Sequence, residues 1–546
     1  MNTLKNLVPA LLAVAALAVA GSARADPLRY GVADDWPKFH PCGDVWWSSV
    51  RDIGFQDLRM TVQWDADAPT AIAFPDRIAG AIDCAQLNGV RPILAIYPQR
   101  PDAIGSDPSR QQQFAAFVAL VGQAFPAVKD FIVGNEPNVN RFWQPQYVNR
   151  KDAAAADYEH TLARSYDALK AVRPDALVWG PAISSRGNDN PSAASNPSHS
   201  PVWFIKDMGT AYRLSGRTAP IFDEFNLHPY PPIQDTDPFS KKFEWPQAGA
   251  ADLDRIKQAL WDGFNGTGQP TVTEQAGGRV AAFAGPQRLP INLDEAAEQT
   301  VVTGDQGPYD GTPENVTPIS EGQQAAHEVE LAEIAACDPA VNTVLYFPLI
   351  DDTGIATGFQ SGDLYAGLGR KQAYDAMKTK IASAQGNCQA GVAGISQTWA
   401  HTTRVIGATG ILGGPGTKPG SQPANRRFGV TGIWTSMTAH EDATYRAFLL
   451  RVKRPAKATA KLARGATAVV TLTGLTHAYF RPGLHFRTKR PLAVGYYRIG
   501  IVLRAATNPL RSTILTSKSF TVGKPSTAPK SKKATHGKRR PKKKKR

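Results

Sequence analysis

After its first 25 residues this 546-residue chain has no long apolar run, which excludes a multi-span membrane protein. It has no C-x-x-C pair, which argues against a structural zinc site. No G-x-G-x-x-G follows the first predicted strand, which argues against a dinucleotide-binding open sheet. Hydrophobic residues still make up 42% of the chain, enough for a full core, so global disorder is excluded. We expect neither a metal nor a cofactor.

Acidic side chains are scarce in the C-terminal part of the chain. Residues 26–390 carry 29 basic and 45 acidic side chains, whereas residues 421–546 carry 29 basic and only 2 acidic ones. An acidic body joined to a basic region predicts two parts with different roles. Residues 524–546 contain 12 basic residues, no acidic residue and no apolar period, which predicts a disordered tail.

The N-terminus has the pattern of a secretory signal peptide. Lys5 precedes an apolar stretch over residues 7–20, and Ala23-Arg24-Ala25 is an A-x-A cleavage pattern. We therefore predict a signal peptide over residues 1–25 and a secreted mature protein. An uncleaved anchor is the alternative.

Cysteine is rare as well, with only four residues in the chain. In an oxidising compartment an even number of cysteines favours disulfides, and four cysteines allow three pairings. Cys337 and Cys388 each follow a helix-like segment, so both could lie at one end of the fold. We favour that bridge, which leaves Cys42 to pair with Cys84.

Short apolar runs alternate with helical periods from residue 26 to residue 388, typical of parallel strands covered on both faces. The eight predicted strands are Leu28–Ala33, Asp57–Gln63, Arg91–Tyr97, Asp130–Gly134, Ala176–Gly180, Phe222–Leu227, Pro270–Thr273 and Val341–Phe347. Eight strand–helix units predict an α/β fold of the (β/α)8 TIM-barrel type. A doubly wound open sheet is the alternative.

The rest of the chain has a different pattern. Residues 389–425 are rich in glycine and lack acidic residues, which predicts a linker. Residues 426–523 contain five alternating or β-branched runs with turn residues between them, which predicts an all-β immunoglobulin-like sandwich. The predicted strands there are Phe428–Trp434, Tyr445–Val452, Ala466–Thr473, Leu492–Leu503 and Ser512–Val522.

Two carboxylates directly follow predicted barrel strands. Glu136 ends the fourth, in Gly134-Asn135-Glu136-Pro137, and Glu274 ends the seventh, in Thr273-Glu274-Gln275. Catalytic groups of TIM barrels lie at the carboxyl ends of the strands. Each acid alone also suits a helix cap or a loop, but the pair at strands four and seven indicates catalysis.

These motifs resemble the clan of retaining glycoside hydrolases that are built on (β/α)8 barrels and include families 5 and 39. The resemblance covers residues 26–388 and is strongest at Asn135-Glu136-Pro137. It implies that Glu136 is the acid/base and Glu274 the nucleophile. It further implies that Arg59 and the pair His228 and Tyr230 line the site. Asn135 directly precedes the acid, and we expect it to form a hydrogen bond with the sugar 2-hydroxyl. Many clan members have a tryptophan at the end of strand eight, where this chain has Phe347.

Aromatic side chains after strands suit the apolar faces of sugar rings. Eight of them are candidates: Trp36, Trp46, Trp47, Trp64, Tyr97, Trp143, Trp203 and Trp245. We favour Trp64 and Trp143 because they lie just after strand two and near Glu136. Long loops over residues 184–201, 231–250 and 277–321 are predicted to shape a cleft.

The sequence therefore predicts a secreted retaining glycosidase that cleaves a poly- or oligosaccharide, acts as a monomer and binds no specific nucleic acid. The alternative is a non-catalytic carbohydrate-binding or cell-surface protein on a degenerate barrel. The basic C-terminal region would bind polyanions, which predicts association with an anionic cell-wall polymer. Simple solubility is the alternative explanation of that charge.

Overall fold

The structure is a computed structural model that divides into two compact units, residues 1–401 and 402–546. The ranges that it describes are 28–233, 236–272, 289–311, 317–395, 399, 411–416, 431–437, 439, 443–455, 457, 461–462, 466–476, 483–505 and 512–523. The predicted signal peptide, the predicted basic tail and Glu274 lie outside the described residues. In the described ranges, no helix has both the length and the apolar character of a membrane span.

The first unit is a closed barrel of eight parallel strands, as predicted. Its strands are β1 (Arg29–Ala33), β2 (Asp57–Trp64), β3 (Arg91–Pro98), β4 (Asp130–Val133), β7 (Leu177–Ser184), β8 (Glu224–His228), β9 (Ile291–Ala296) and β10 (Val341–Tyr346). Around the barrel they follow the order β1-β10-β9-β8-β7-β4-β3-β2. Strand β1 pairs with both β2 and β10, which closes the ring.

Helices surround this barrel. They are α1 (Val45–Ile53), α2 (Pro75–Leu87), α3 (Pro108–Ala124), α4 (Ala154–Val172), α5 (Pro201–Ser215), α6 (Leu253–Phe264), α7 (Glu321–Cys337) and α8 (Gln372–Ala384). A two-stranded hairpin, β5 (Tyr147–Val148) and β6 (Lys151–Asp152), precedes α4. Local sequence sets several helix starts, because Asp44, Asp107 and Ser320 cap α1, α3 and α7 with their side chains.

The barrel encloses a small apolar core. Its buried members are Ala33, Ile93, Ala95, Ile132, Trp179, Ala182 and Leu345. A larger apolar layer lies between the strands and the helices. At the amino ends of the strands, buried Asp57 accepts hydrogen bonds from Arg29 and Arg91, both at 2.7 Å. The carboxyl ends of the same strands converge at the opposite mouth.

The predicted seventh strand is wrong. Thr271 and Val272 form no strand, and the seventh barrel strand is β9, which pairs with β8 and β10. Strand β9 lies inside the region predicted as a long loop over residues 277–321. Its sequence, Ile-Asn-Leu-Asp-Glu-Ala, carries three polar residues that interrupt the apolar run on which the prediction relied. The other seven strands were predicted to within a few residues.

Both predicted disulfides are present in the structure. Cys42–Cys84 joins the loop after β1 to α2, and Cys337–Cys388 joins the end of α7 to the segment after α8. Glu333 accepts hydrogen bonds from the backbone N–H groups of residues 389, 390 and 391 at 2.8–2.9 Å. The first residues of the predicted linker therefore belong to the barrel unit.

The second unit consists of two antiparallel sheets. Its strands are β11 (Ile411–Gly416), β12 (Gly432–Met437), β13 (Ala443–Val452), β14 (Thr467–Thr476), β15 (Gly483–Arg487), β16 (Gly495–Ala505), β17 (Ser512–Thr516) and β18 (Phe520–Val522). One sheet has the order β11-β12-β15, and the other β14-β13-β16-β17 with β18 beside β16. Apolar residues of both sheets share one core. The immunoglobulin-like topology stays a prediction.

The strands of this unit differ from the sequence prediction in three places. Strand β11 lies within the predicted linker. It was not predicted because the segment lacks a strand-like side-chain pattern, but its glycine-rich backbone still pairs with β12. Strand β15 was not predicted, since it has only five residues, Gly-Leu-His-Phe-Arg, of which two are apolar. The predicted run Ser512–Val522 is two strands rather than one.

The buried side chain of Glu159 on α4 links the stability of the fold to pH. It is 1% exposed, and neither of its carboxyl oxygens has a hydrogen-bond partner among the described residues. Burial raises the pKa of Glu159 to about 7. Because the folded pKa exceeds the unfolded one, the stability tied to this group is present below about pH 4.5 and is lost as the pH rises through 7.

We therefore expect Glu159→Gln, which mimics the protonated acid, to be more stable than the parent at pH 8, by roughly 2–3 kcal/mol. At pH 4.5 the two proteins should have similar free energies of unfolding. Urea unfolding at both pH values measures the difference. Exposed Asp83→Asn on α2 is the control and should leave the pH dependence unchanged. An equal effect of Glu159→Gln at both pH values would contradict this account.

Candidate active site

A cavity of about 720 Å³ opens where the barrel strands end. Every one of the eight strands contributes to its lining, either directly or through the residues that follow. One contribution from each strand, in chain order, is Ala33, Arg59, Tyr97, Asn135, Ser184, Tyr230, Glu295 and Phe347. This is the end of a TIM barrel at which catalytic groups are found.

The end of β4 turns sharply to present Glu136. Gly134 has φ 96° and Glu136 has φ 40°, both in the left-handed region. The turn is held by backbone bonds, because the Glu136 N–H donates to Ala182 O at 2.6 Å and the Gly134 N–H to Ile96 O at 2.8 Å. A left-handed conformation is costly for a glutamate, and such strain is typical of functional positions.

Helix α4 supports this turn from below. The hydroxyl of buried Tyr158 donates to Val133 O, the last carbonyl of β4. A Cβ atom on Gly134 would lie 2.7 Å from Cε2 of the same ring. Only glycine therefore allows both the backbone conformation and the close approach of Tyr158.

Glu295, near the end of β9, is held by two donors. Arg59 Nη1 donates to Oε2 at 2.9 Å, and the Tyr230 hydroxyl donates to Oε1 at 2.9 Å. Arg59 also reaches β4, because its Nη2 donates to Asn135 Oδ1 at 2.6 Å. Burial alone would raise the pKa of Glu295, but the charges of His228 and Arg59 and the bond from Tyr230 outweigh it and lower the pKa. Glu295 is therefore ionised at neutral pH.

His228, the last residue of β8, lies between the carboxylates. Its Nδ1 is 3.0 Å from Glu136 Oε1, and its Nε2 is 3.6 Å from Asp294 Oδ2 and 3.8 Å from Glu295 Oε2. Burial would lower the pKa of His228, but the charges of Glu295 and Asp294, together with the contact with Asp294 and the hydrogen bond to Glu136, raise it to about 10. The ring is thus a cation at neutral pH, and both of its N–H groups face carboxylates.

The structure brings most of the predicted site residues together. Among them, Asn135, Glu136, Arg59, Tyr230 and Phe347 line the cavity. Buried His228 contacts Glu136 directly. Phe347 packs edge-on against Phe359, another lining residue, with ring centroids 4.9 Å apart.

Two predicted sugar platforms are not in the cavity. Trp64 is fully buried and packs against Phe114, and Trp143 is 2% exposed and packs against Tyr158. Both rings fill the layer between strands and helices, so they serve the core. Of the eight candidate aromatics, Trp36 and Tyr97 line the cavity instead.

Glu295 is the residue that the sequence prediction missed. Leu289, Ile291 and Leu293 alternate with other residues just before Asp294-Glu295, and this alternation was the signal for a strand with a carboxylate at its end. Glu274 lies outside the described residues. It follows a segment that is not the seventh barrel strand, whereas Glu295 occupies the position that the resemblance requires.

One group of residues within the described ranges has the spacing of metal ligands: Glu333, Cys337 and Cys388. The two cysteines form a disulfide, and Glu333 binds Lys380 and three backbone N–H groups. These contacts already account for the cluster, which lies apart from the cavity lining.

Comparisons with known proteins give similarity to solved glycosidases. A family 39 glycoside hydrolase from the gut symbiont Bacteroides cellulosilyticus WH2 is 14% identical, with 85% of this chain and 81% of that chain covered and a TM-score of 0.46. A glucosidase from Croceicoccus marinus is 12% identical, with 90% and 95% covered and a TM-score of 0.42. A family 1 β-glucosidase from Thermotoga maritima is 13% identical, with 66% and 98% covered and a TM-score of 0.40.

No family model and no curated protein matches the chain. Identities of 12–14% and TM-scores below 0.5 do not determine an activity.

Gly134→Ala tests the turn that presents Glu136. We expect Gly134→Ala to lower the free energy of unfolding by about 1–2 kcal/mol because the backbone is left-handed. Overlap of the added methyl group with Tyr158 should lower it by roughly another 1–3 kcal/mol. Gly89→Ala is the matched control, since Gly89 has φ 69° and a methyl group there would have no neighbour within 4 Å among the described residues. Denaturant unfolding of both variants separates the two contributions. Equal losses would show that the Tyr158 contact does not constrain the turn.

Proposed function

We propose that the chain is a retaining glycosidase that hydrolyses O-glycosidic bonds of an oligo- or polysaccharide. The observation that carries the proposal is the pair Glu136 and Glu295, which line one cavity and contact opposite nitrogens of one imidazolium ring. Retention is inferred from the resemblance of these motifs to the retaining clan, and it requires the two carboxyl groups to lie about 5–5.5 Å apart.

The proposed reaction has two steps. In the first, the Glu295 carboxylate attacks the anomeric carbon while the bond to the leaving oxygen breaks and Glu136 gives that oxygen a proton. The products are an alcohol and a glycosyl ester on Glu295. In the second, Glu136 takes a proton from water, the water oxygen attacks the anomeric carbon, and the Glu295 carboxylate leaves.

The neighbours of Glu295 fit the role of a nucleophile. Arg59 and Tyr230 each hold a different carboxyl oxygen, which fixes the direction of attack. The lowered pKa keeps the carboxylate ionised. Asn135, placed by its bond to Arg59, is positioned to contact a sugar hydroxyl. Aromatic side chains of the cavity lining, Trp36, Tyr97 and Phe347, suit the apolar face of a sugar ring.

The competing nucleophiles Glu295 and Glu274 provide the direct test. We expect Glu295→Gln to lower the hydrolysis of 2,4-dinitrophenyl glycosides by at least about 10⁴-fold, and Glu274→Gln to keep activity within about threefold of the parent. A panel of different dinitrophenyl sugars allows for the unknown sugar. Azide should rescue Glu295→Ala to a glycosyl azide of inverted configuration, and Glu136→Ala to one of retained configuration.

Loss of activity in Glu274→Gln together with full activity in Glu295→Gln would refute the assignment of the nucleophile. A purified parent that hydrolyses no member of the panel, and no natural oligosaccharide, would refute the glycosidase proposal. It would favour the non-catalytic carbohydrate-binding alternative.

The cation at His228 makes a prediction about pH. The charge of His228 contributes more to the lowered pKa of Glu295 than the bond from Tyr230 does. We therefore expect His228→Gln to raise the pKa of Glu295 and to move the acidic limb of the kcat/KM profile to higher pH. Tyr230→Phe removes a hydrogen bond to Glu295 but no charge, so the acidic limb of its kcat/KM profile should move less. Identical limbs in the parent and His228→Gln would contradict the electrostatic role of the histidine.

We further propose that the mature protein is secreted and works as a monomer held near an anionic cell-wall polymer by its basic C-terminal region. The support is the excess of basic residues after residue 420, together with the signal-peptide pattern and two disulfides. Deletion of residues 524–546 should weaken retention on an anionic polysaccharide resin, and retention of the full chain should fall between about 0.01 M and 0.15 M salt. Salt-insensitive retention of both forms would contradict the tether.

A further inference from the structure

We propose that Phe39, Phe74 and Arg77 form an additional sugar-binding subsite at the rim of the cavity, which stacks a unit of the oligosaccharide some distance from the bond that is cleaved. The inference rests on the proposed glycosidase function and extends it to the length of the substrate. Phe39 lies in the loop after β1, and Phe74 and Arg77 lie at the start of α2.

The two phenylalanines are exposed side by side. Phe39 is 50% exposed and Phe74 is 60% exposed, and their ring centroids are 6.1 Å apart with the planes at 72°. The Arg77 guanidinium carbon lies 5.0 Å from the Phe39 centroid and 5.3 Å from that of Phe74. Two adjacent exposed rings form an apolar patch of the kind that marks a binding surface.

The backbone of Phe74 is in an unfavourable conformation. It has φ 53° and ψ 48°, in the left-handed region, which is rarely occupied by bulky residues and costs of the order of 1–3 kcal/mol. Burial of the Phe74 ring does not offset this cost, because most of the ring remains in contact with solvent. Asparagine or glycine would suit the position better. Phenylalanine here is therefore explained by what its exposed ring can bind.

A covalent bond holds the two parts of the patch together. The Cys42–Cys84 disulfide joins the loop that carries Phe39 to the helix that begins after Phe74. The rings come from different strand–helix units, and the disulfide limits their relative movement. A preorganised pair of rings loses less entropy on binding than a mobile pair.

The patch is continuous with the cavity, which identifies its occupant. Phe39 belongs to both, since it lines the cavity together with Trp36 from the same loop. A chain of sugars that extends from the cavity past Phe39 reaches Phe74 next. The exposed faces of aromatic rings suit the C–H faces of a sugar. Within the described residues Arg77 has no carboxylate partner, so its N–H donors can bind hydroxyls.

The contribution of this subsite to binding affinity should therefore grow with the number of sugar units in the substrate. The probes are gluco-, xylo- and manno-oligosaccharides of one to six units, titrated into the full-length Glu295→Gln protein by calorimetry. We expect affinity to rise with chain length in at least one series. Adding Phe74→Asn should reduce the affinity for the longest chain about tenfold and for the monosaccharide least, while Phe74→Tyr should keep most of the affinity.

Stability separates binding from a structural role. Asparagine tolerates the left-handed conformation, so Phe74→Asn should raise the thermal midpoint even as it weakens binding. If Phe74 had only a structural role, Phe74→Asn would instead lower the thermal midpoint. Leu87→Ala, at the other end of α2, removes an apolar side chain that is 80% exposed and should change neither quantity.

The outcomes distinguish this inference from the proposed function. If dinitrophenyl glycosides are hydrolysed but affinity does not depend on chain length in any series, or Phe74→Asn has no effect on it, the subsite is refuted and the glycosidase stands. If no glycoside is hydrolysed and no sugar binds, both fail. Sedimentation that shows a dimer dissolved by Phe74→Asn would assign the patch to a second copy of the chain and would also refute the subsite.

Discussion

Three acidic side chains meet at one mouth of the barrel, and the site depends on the cations that lie among them. Glu136, Asp294 and Glu295 surround His228, and Arg59 lies against Glu295 from the side of β2. Unpaired ionised carboxylates in such a buried place would be costly and would take up protons instead. The raised pKa of His228 and the lowered pKa of Glu295 are two results of the same pairing.

Barrel closure is what makes this pairing geometrically possible. Arg59 and Glu295 are 236 residues apart in the chain, and His228 and Glu136 are 92 apart. Parallel strands deliver their carboxyl ends to one rim, so side chains from β2, β4, β8 and β9 meet there. The opposite end has its own ion pairs around Asp57, which hold β1, β2 and β3 together away from the chemistry. Stability and function thus occupy opposite ends of one barrel.

Sequence patterns predicted the parts of this arrangement that folding alone determines. Seven barrel strands are apolar because both of their faces are buried, and Gly134-Asn135-Glu136 follows the fourth in a recognisable motif. Strand β9 was missed because three polar residues, Asn292, Asp294 and Glu295, replace the apolar residues that a strand prediction needs. Sequence signals for structure are weakest where residues are selected for chemistry. Local spacing also could not tell a buried tryptophan from an exposed one, which is why Trp64 and Trp143 were misplaced and Trp36 was not preferred.

The central claim is that Glu295, held by Arg59 and Tyr230, forms the bond to the sugar. The most direct measurement is covalent trapping with a set of activated 2-deoxy-2-fluoro glycosides, followed by proteolysis and mass spectrometry of the labelled peptide. The account predicts one glycosyl group per chain, on Glu295, and no label in Glu295→Gln. A label on Glu274, or turnover with inverted configuration and no covalent adduct, would contradict it.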